Sequence, residues 1–224
     1  MAKKLVVAID GPAGAGKSTV AKKAAQELGY TYIDTGAMYR AVAWKVMQSH
    51  DEVTEAYAQE AVQDVSIDLQ PQSDGTLRVL VDGEDVTEAI RTPEISAVVS
   101  QVASYAAVRE RLVYLQREMA TKGGVLMDGR DIATNVLPHA DVKIFLTASL
   151  EARAQRRAEE LRQKGFAEPF EKLKTDIARR DKADMERKIS PLRQAKDAVL
   201  LDTTHLTIAE AVQAVLERCK NHAL

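Results

Sequence analysis

The stretch Ile9-Asp10-Gly11-Pro12-Ala13-Gly14-Ala15-Gly16-Lys17-Ser18-Thr19 has the residue types and spacing of a site that holds phosphate. Gly11 to Ser18 fits G-x-x-x-x-G-K-[ST] at every position. Glycines without a Cβ let the backbone turn sharply and aim its N–H groups inward, with the positive end of the next helix behind them. In such a loop Lys17 reaches the outer phosphates and the Ser18 hydroxyl is the magnesium ligand. A glycine-rich turn with only a structural duty is the alternative. The motif needs a strand before it and a helix after it. Leu5 to Ile9 is an apolar run of strand type and Ser18 to Leu28 has helical spacing, so the nucleotide site is the favoured reading.

Other chemistry-bearing residues fall at the ends of further strand-like runs. Asp34-Thr35-Gly36-Ala37-Met38-Tyr39-Arg40 follows one, Asp128-Gly129-Arg130-Asp131 ends another, and Arg179, Arg180 and Arg187 precede a last one. Any one of these arginines reads as a solvated helix face. Several at one mouth would suit phosphoryl transfer, in which the protein aligns donor and acceptor and neutralises the migrating charge. The guanidinium grips phosphate through two bonds and keeps its proton. Asp34 and Thr35 also serve as helix caps. Asp10 and Asp128 close apolar strands, either to organise the loop and magnesium shell or merely as strand ends.

Short strands at Tyr30–Ile33, Val125–Asp128, Val142–Leu146 and Ala198–Asp202 alternate with helical stretches, the pattern of a mostly parallel sheet covered on both faces. Ligands of such sheets lie outside the carboxyl ends of the strands. From about Val65 to Val86 the pattern changes to an antiparallel insertion: Val65–Leu69, a turn at Ser73-Asp74-Gly75, then Leu77–Val81. Pro93 to Lys122 is helical with an expected break near Ser104-Tyr105 and a stop at Gly123-Gly124. About fifty charge-rich residues, divided at Gly165 and Pro169, precede the last strand. The 224 residues are enough for one sizeable core. A net charge of -2 argues against a nucleic-acid partner. No long uncharged apolar run is present, and the single Cys219 reads as core packing in a reducing compartment. The expectation is a cytoplasmic monomer without membrane or nucleic-acid partners. His50, His139, His205 and His222 show no metal-ligand spacing.

The phosphate loop, the Asp34–Arg40 and Asp128–Asp131 stretches, Ile90-Arg91-Thr92, Ser100–Ala103, Val108-Arg109, Lys143–Leu146 and the Arg179-Arg180-Asp181…Asp184…Arg187 segment together resemble the bacterial cytidylate kinase family. The likeness runs in order from about Leu5 to Leu216. It implies a three-layer α/β fold of the P-loop NTPase type with a five-stranded core. In that scheme 1–62, 93–151 and 188–224 form the core, 63–92 an NMP-binding insertion and 152–187 a helical lid. It also implies ATP-dependent phosphorylation of CMP and dCMP, with Mg²⁺ at Ser18. The loop residues Gly11, Pro12, Ala13, Gly14, Ala15, Gly16, Lys17, Ser18 and Thr19, with Arg153 and Arg157, would hold ATP. Arg40, Arg130 and Arg187 would clamp the acceptor phosphate, with Lys17 completing the catalytic set. Asp34, Thr35, Tyr39 and Gly129 would line the acceptor pocket, Ser100, Arg109 and Asp131 would read cytosine, and Arg180 and Asp184 would address the ribose. Family members often carry Ser where Thr35 stands, and the extra methyl bears on sugar preference.

Two rivals stay open on the residues alone. One is a kinase of the same architecture for another small acceptor, such as UMP. The other is a nucleotide-binding regulatory protein, which would need a guanine-reading N/T-K-x-D stretch that the chain lacks. Distinguishing cytosine from uracil requires an acceptor for an exocyclic amine, a duty that Asp131 or Ser100 could perform. From the residues alone, a helix-surface position and an i,i+4 partner is the favoured reading of Ser100 and Arg109, while for Asp131 function and helix capping weigh about equally.

Overall fold

A computed structural model describes residues 4–72, 76–163 and 165–223. Its centre is a five-stranded sheet of β1 (Val6–Asp10), β2 (Thr31–Asp34), β6 (Val125–Gly129), β7 (Val142–Thr147) and β8 (Val199–Asp202), in the order β2-β6-β1-β7-β8. Every pairing in it is parallel. The inner strands are apolar on both faces, as a sheet covered on both sides requires. Successive residues of β1 divide between the two cores: Val7 and Ile9 pack with the helices α1 (Lys17–Leu28) and α8 (Ile208–Ala223), Ala8 with the opposite layer. Cys219 lies buried in the α1/α8 layer, where burial pushes its thiol up to about 11.

The opposite layer comprises α2 (Thr35–Ser49), α3 (Glu55–Gln63), α4 (Pro93–Val102) and α5 (Ala106–Ala120). The starts of α2, α3 and α4 each have a local cause. The Asp34 carboxylate accepts from the Ala37 N–H at 2.9 Å, Thr54 caps α3, and Thr92 caps α4 with Pro93 in its first turn. The break at 103–105 falls where the sequence places it. The helix α3 is an addition to that reading.

The antiparallel insertion is a three-stranded sheet of β3 (Ile67–Pro71), β4 (Leu77–Val81) and β5 (Glu84–Asp85). Its first strand runs two residues later than the alternation at 65–69 suggests, because Ile67 pairs with Val81 and Pro71 with Leu77. The turn expected at Ser73-Asp74-Gly75 lies outside the described residues. Between β7 and β8, α6 (Leu150–Gln163) and α7 (Phe170–Glu186) pack on each other as a helical arm. Among the described residues no helix is long and apolar enough to cross a membrane.

Candidate active site

The phosphate loop joins β1 to α1 at the carboxyl edge of the sheet. A Cβ on Gly11 would sit 1.9 Å from the Leu146 carbonyl oxygen of β7, so only glycine lets the chain pass there. Gly16, at φ +88°, opens α1. Lys17 is buried, and its Nζ donates to the Pro12 carbonyl at 2.7 Å across the loop. Burial, reinforced by the nearby Arg130 charge, holds its ammonium well below the ordinary lysine range. The Ser18 hydroxyl donates to Asp128 Oδ2 at 2.9 Å and the Tyr32 hydroxyl to Oδ1 at 2.8 Å. Burial, with the Asp34 charge second, raises the Asp128 carboxyl to about 6.

Asp10 does not enter the loop. Its two carboxylate oxygens accept the Ile132 and Ala133 N–H groups, each at 2.8 Å, and so fix the π-type turn Ile132–Val136 that follows Asp131. Burial pushes its carboxyl up to about 7. A native value above the unfolded one means that the folded state binds the extra proton. This contribution to stability is therefore complete below about pH 4 and lost as the pH rises through about 7. Urea unfolding should show that decline between those limits, and Asp10→Asn, with nothing to titrate, should flatten its Asp10 component.

The Asp128–Asp131 stretch meets α2 and the arm at the same edge. The Thr35 hydroxyl donates to the Asp128 carbonyl at 2.7 Å, and a Cβ on Gly129 would lie 2.7 Å from both Thr35 Oγ1 and Ile132 Cδ1. Glycine is therefore required by close packing in a strand of otherwise regular geometry. Arg130 Nε donates to Asp184 Oδ2 at 2.8 Å. Asp131 is buried between two guanidiniums: Arg109 Nη2 reaches its Oδ2, and Arg187 Nη2 its Oδ1 at 3.1 Å. Asn135 Nδ2 adds a bond to Oδ2 at 3.1 Å. Tyr39 lies beneath Arg109, whose guanidinium carbon is 5.6 Å from the ring centroid.

Arg180 is half-buried on α7, and burial together with Arg130 lowers it to about 10, with Arg40 adding to the effect. Burial works against the Asp184 charge, yet Arg130 and Arg180 outweigh it and hold that carboxyl below its ordinary range. The Arg130 charge thus acts on both Lys17 and Arg180, and Asp184 feels Arg130, Arg180 and Arg187 together. Ser100 sits half-buried on α4, which touches α7. Arg109 is no surface residue: it is 3% exposed, because α5 turns that face toward Asp131.

The arm is moored to the loop. Arg153 Nη1 donates to the Ala13 carbonyl at 3.0 Å and pairs with Asp181, whose Oδ1 accepts the Ala13 N–H at 3.1 Å. Arg157 does not reach the loop; its guanidinium lies outside, 2.8 Å from Glu160 one turn along. The neighbouring Arg156 has that place, donating to the Ala15 carbonyl at 3.1 Å and to Thr203. Sequence reasoning missed it, since spacing alone does not separate it from Arg157. Arg179 is solvated and paired with Asp176. An apolar groove of about 480 Å³ against Val6, Val136 and Leu137 lies at the amino end of β1, away from these charges.

A family model described as "Cytidylate kinase" matches residues 7–221. The chain belongs to the cytidylate kinase family. Among its relatives, the cytidylate kinase of Anoxybacillus flavithermus is 53% identical over 217 residues, 96% of each chain. That of Bacillus thuringiensis is 52% identical over the same length and coverage. Membership makes this chain a kinase, a nucleotide-binding transferase. In fold it resembles the crystal structure of an uncharacterised protein from Eubacterium ventriosum, with a TM-score of 0.53 at 12% identity, covering 98% of this chain and 99% of that one.

Proposed function

We propose that this cytidylate kinase family member transfers the γ-phosphoryl group of ATP to the phosphate of CMP or dCMP. A phosphate oxygen of the acceptor attacks the γ-phosphorus in line. The bond to the β,γ-bridging oxygen breaks, giving ADP with CDP or dCDP and no covalent enzyme intermediate. The observation that carries this reading is the gathering of cations beside the phosphate loop: Lys17 buried across the loop, Arg130 on Asp184, and Arg109 and Arg187 together on Asp131. Such an array holds two polyanions end to end and offsets the charge that moves between them.

In this reading the loop N–H groups and Lys17 hold the ATP phosphates, with Arg156 and Arg153 bracing the loop from the arm. Arg40, Arg130 and Arg187 clamp the acceptor phosphate. Tyr39, Thr35, Asp34 and Gly129 wall its pocket, and Arg180 with Asp184 address the ribose. Magnesium fits the Ser18 hydroxyl beside the Asp128 carboxylate, and when bound it would neutralise phosphate charge; no larger ligand cluster exists among the described residues, as befits an ion held mainly by nucleotide and water.

A carboxylate has about four acceptor positions. Arg109, Asn135 and Arg187 fill three on Asp131, leaving one on Oδ1 for the exocyclic amine of cytosine. Uracil presents a carbonyl there, so an acceptor faces an acceptor and no hydrogen bond forms. The arm 152–187 acts as a lid that excludes water, and 63–92 as the acceptor-side insertion. The enzyme so described is a cytoplasmic monomer needing neither nucleic acid nor membrane. A coupled assay on a panel of nucleoside monophosphates tests the reading: CMP and dCMP should be the best acceptors, and equal or faster turnover of AMP, GMP or dTMP would refute it.

A further inference from the structure

Asp128 is a carboxylate of β6 that is only 4% exposed. A charge taken out of water is ordinarily paired with a cation or held by a metal. Asp131, on the same stretch, follows that rule with two guanidiniums. Asp128 does not: among the described residues no lysine, arginine or histidine forms an ion pair with it. Lys17 instead gives its Nζ to the Pro12 carbonyl at 2.7 Å, and Arg130 gives its Nε to Asp184 at 2.8 Å. What Asp128 accepts are two neutral hydroxyls, Tyr32 on Oδ1 at 2.8 Å and Ser18 on Oδ2 at 2.9 Å. Of the roughly four acceptor positions of a carboxylate, the described residues fill those two. The uncompensated charge therefore lies directly behind the hydroxyl assigned above to magnesium.

Tyr32 belongs to β2, and its side chain is buried in the layer of α1 and α8. Phenylalanine would fill the same space without taking a hydroxyl out of water, so packing alone does not account for the phenol. A carboxylate held at one oxygen is free to turn about its Cβ–Cγ bond, whereas one held at both keeps its plane. We infer that Tyr32 is a positioning residue for the magnesium nucleotide: by holding Oδ1 it fixes the plane of Asp128 and keeps Oδ2 on the Ser18 proton. The Ser18 hydroxyl has one proton, and once that is committed to Asp128 its lone pairs are left for a cation. This rests on the reading that the phosphate loop holds a magnesium nucleotide, and it adds a strand residue that acts on the cation only through Asp128. Hydrogen-bond partners one step behind a metal ligand characteristically affect metal affinity when removed, by about 10–100-fold.

The test is calorimetric binding of ADP in EDTA and across a magnesium series, for the wild type, Tyr32→Phe, Asp128→Asn and the double variant. Tyr32→Phe should raise the magnesium concentration that gives half of the metal-dependent gain in ADP affinity by about tenfold. Its Kd for ADP in EDTA should stay within about twofold of the wild type, because the loop itself is untouched. In turnover, kcat should fall at low magnesium and recover in excess, with the KM for CMP within about twofold. In the Asp128→Asn background, Tyr32→Phe should change the magnesium requirement by less than about twofold, since the carboxylate through which it acts is gone. An unchanged or lowered magnesium requirement, ADP binding weakened equally with and without the metal, or effects of the two substitutions that multiply independently would overturn the inference. Wild-type ADP binding indifferent to magnesium would overturn the magnesium part of the parent reading and this inference with it, whereas a magnesium-dependent wild type with an unaffected Tyr32→Phe overturns this inference alone. The ADP measurement uses no acceptor, so a wild type that prefers another monophosphate refutes the CMP assignment and not the role of Tyr32.

Discussion

Lys17→Met is expected to lower kcat by about a thousandfold or more, the loss that follows removal of one preorganised charge facing the migrating group. The KM for the acceptor should move far less, because Lys17 belongs to the loop proposed to hold the donor. Stability should not fall. The wild-type ammonium is buried so deeply that its charge is disfavoured, and an apolar chain of similar length removes that cost while losing a single bond to the Pro12 carbonyl. A variant that unfolds at the wild-type urea midpoint yet retains more than about a tenth of kcat would remove the loop from the chemistry.

Asp131→Ala should have the largest effect on stability. It leaves Arg109 and Arg187 side by side without their shared counter-ion, and breaking a buried pair by deleting one partner costs about 3–5 kcal/mol. Urea unfolding at neutral pH measures this; a loss under about 1 kcal/mol would mean that the two guanidiniums find water or another partner. Asp131→Asn keeps the volume and supplies the second measurement. By turning one acceptor into a donor, it should cut the preference for CMP over UMP by roughly a hundredfold, since a polar pocket discriminates by what it leaves unpaired. Unchanged selectivity in a folded Asp131→Asn protein would transfer base reading to Ser100.

Local rules made the sheet and loop legible. The strand ends, the break at 103–105 and the glycine stop at 123–124 each follow from residues within a few positions of one another. What escaped depends on distant partners. The helix α3 buries only Ala58 and Val62, one stripe position per turn, which is too little periodicity to stand out. The turn at Ile132–Val136 exists because Asp10, more than a hundred positions earlier, accepts its first N–H groups. Arg109 and Gln116 are polar residues on a helix, and polar residues on helices usually face water. The burial of Arg109 is decided by Asp131 and Tyr39 on other elements. Arg156 and Arg157 are adjacent and identical in type, and only the position of Ala15 distinguishes them.

The mooring of the arm has a mechanical corollary. A single residue, Ala13, gives its carbonyl to Arg153 on α6 and its N–H to Asp181 on α7, while those two side chains grasp each other. Swinging α7 outward strips that residue of one tether and loosens the other in the same movement. On the proposed lid reading, glycine cradle and hinged cover behave as coupled parts of a clasp: the shape offered to an incoming triphosphate would be set by whether the clasp is shut, and a nucleotide that deforms the cradle would tug on the cover from beneath.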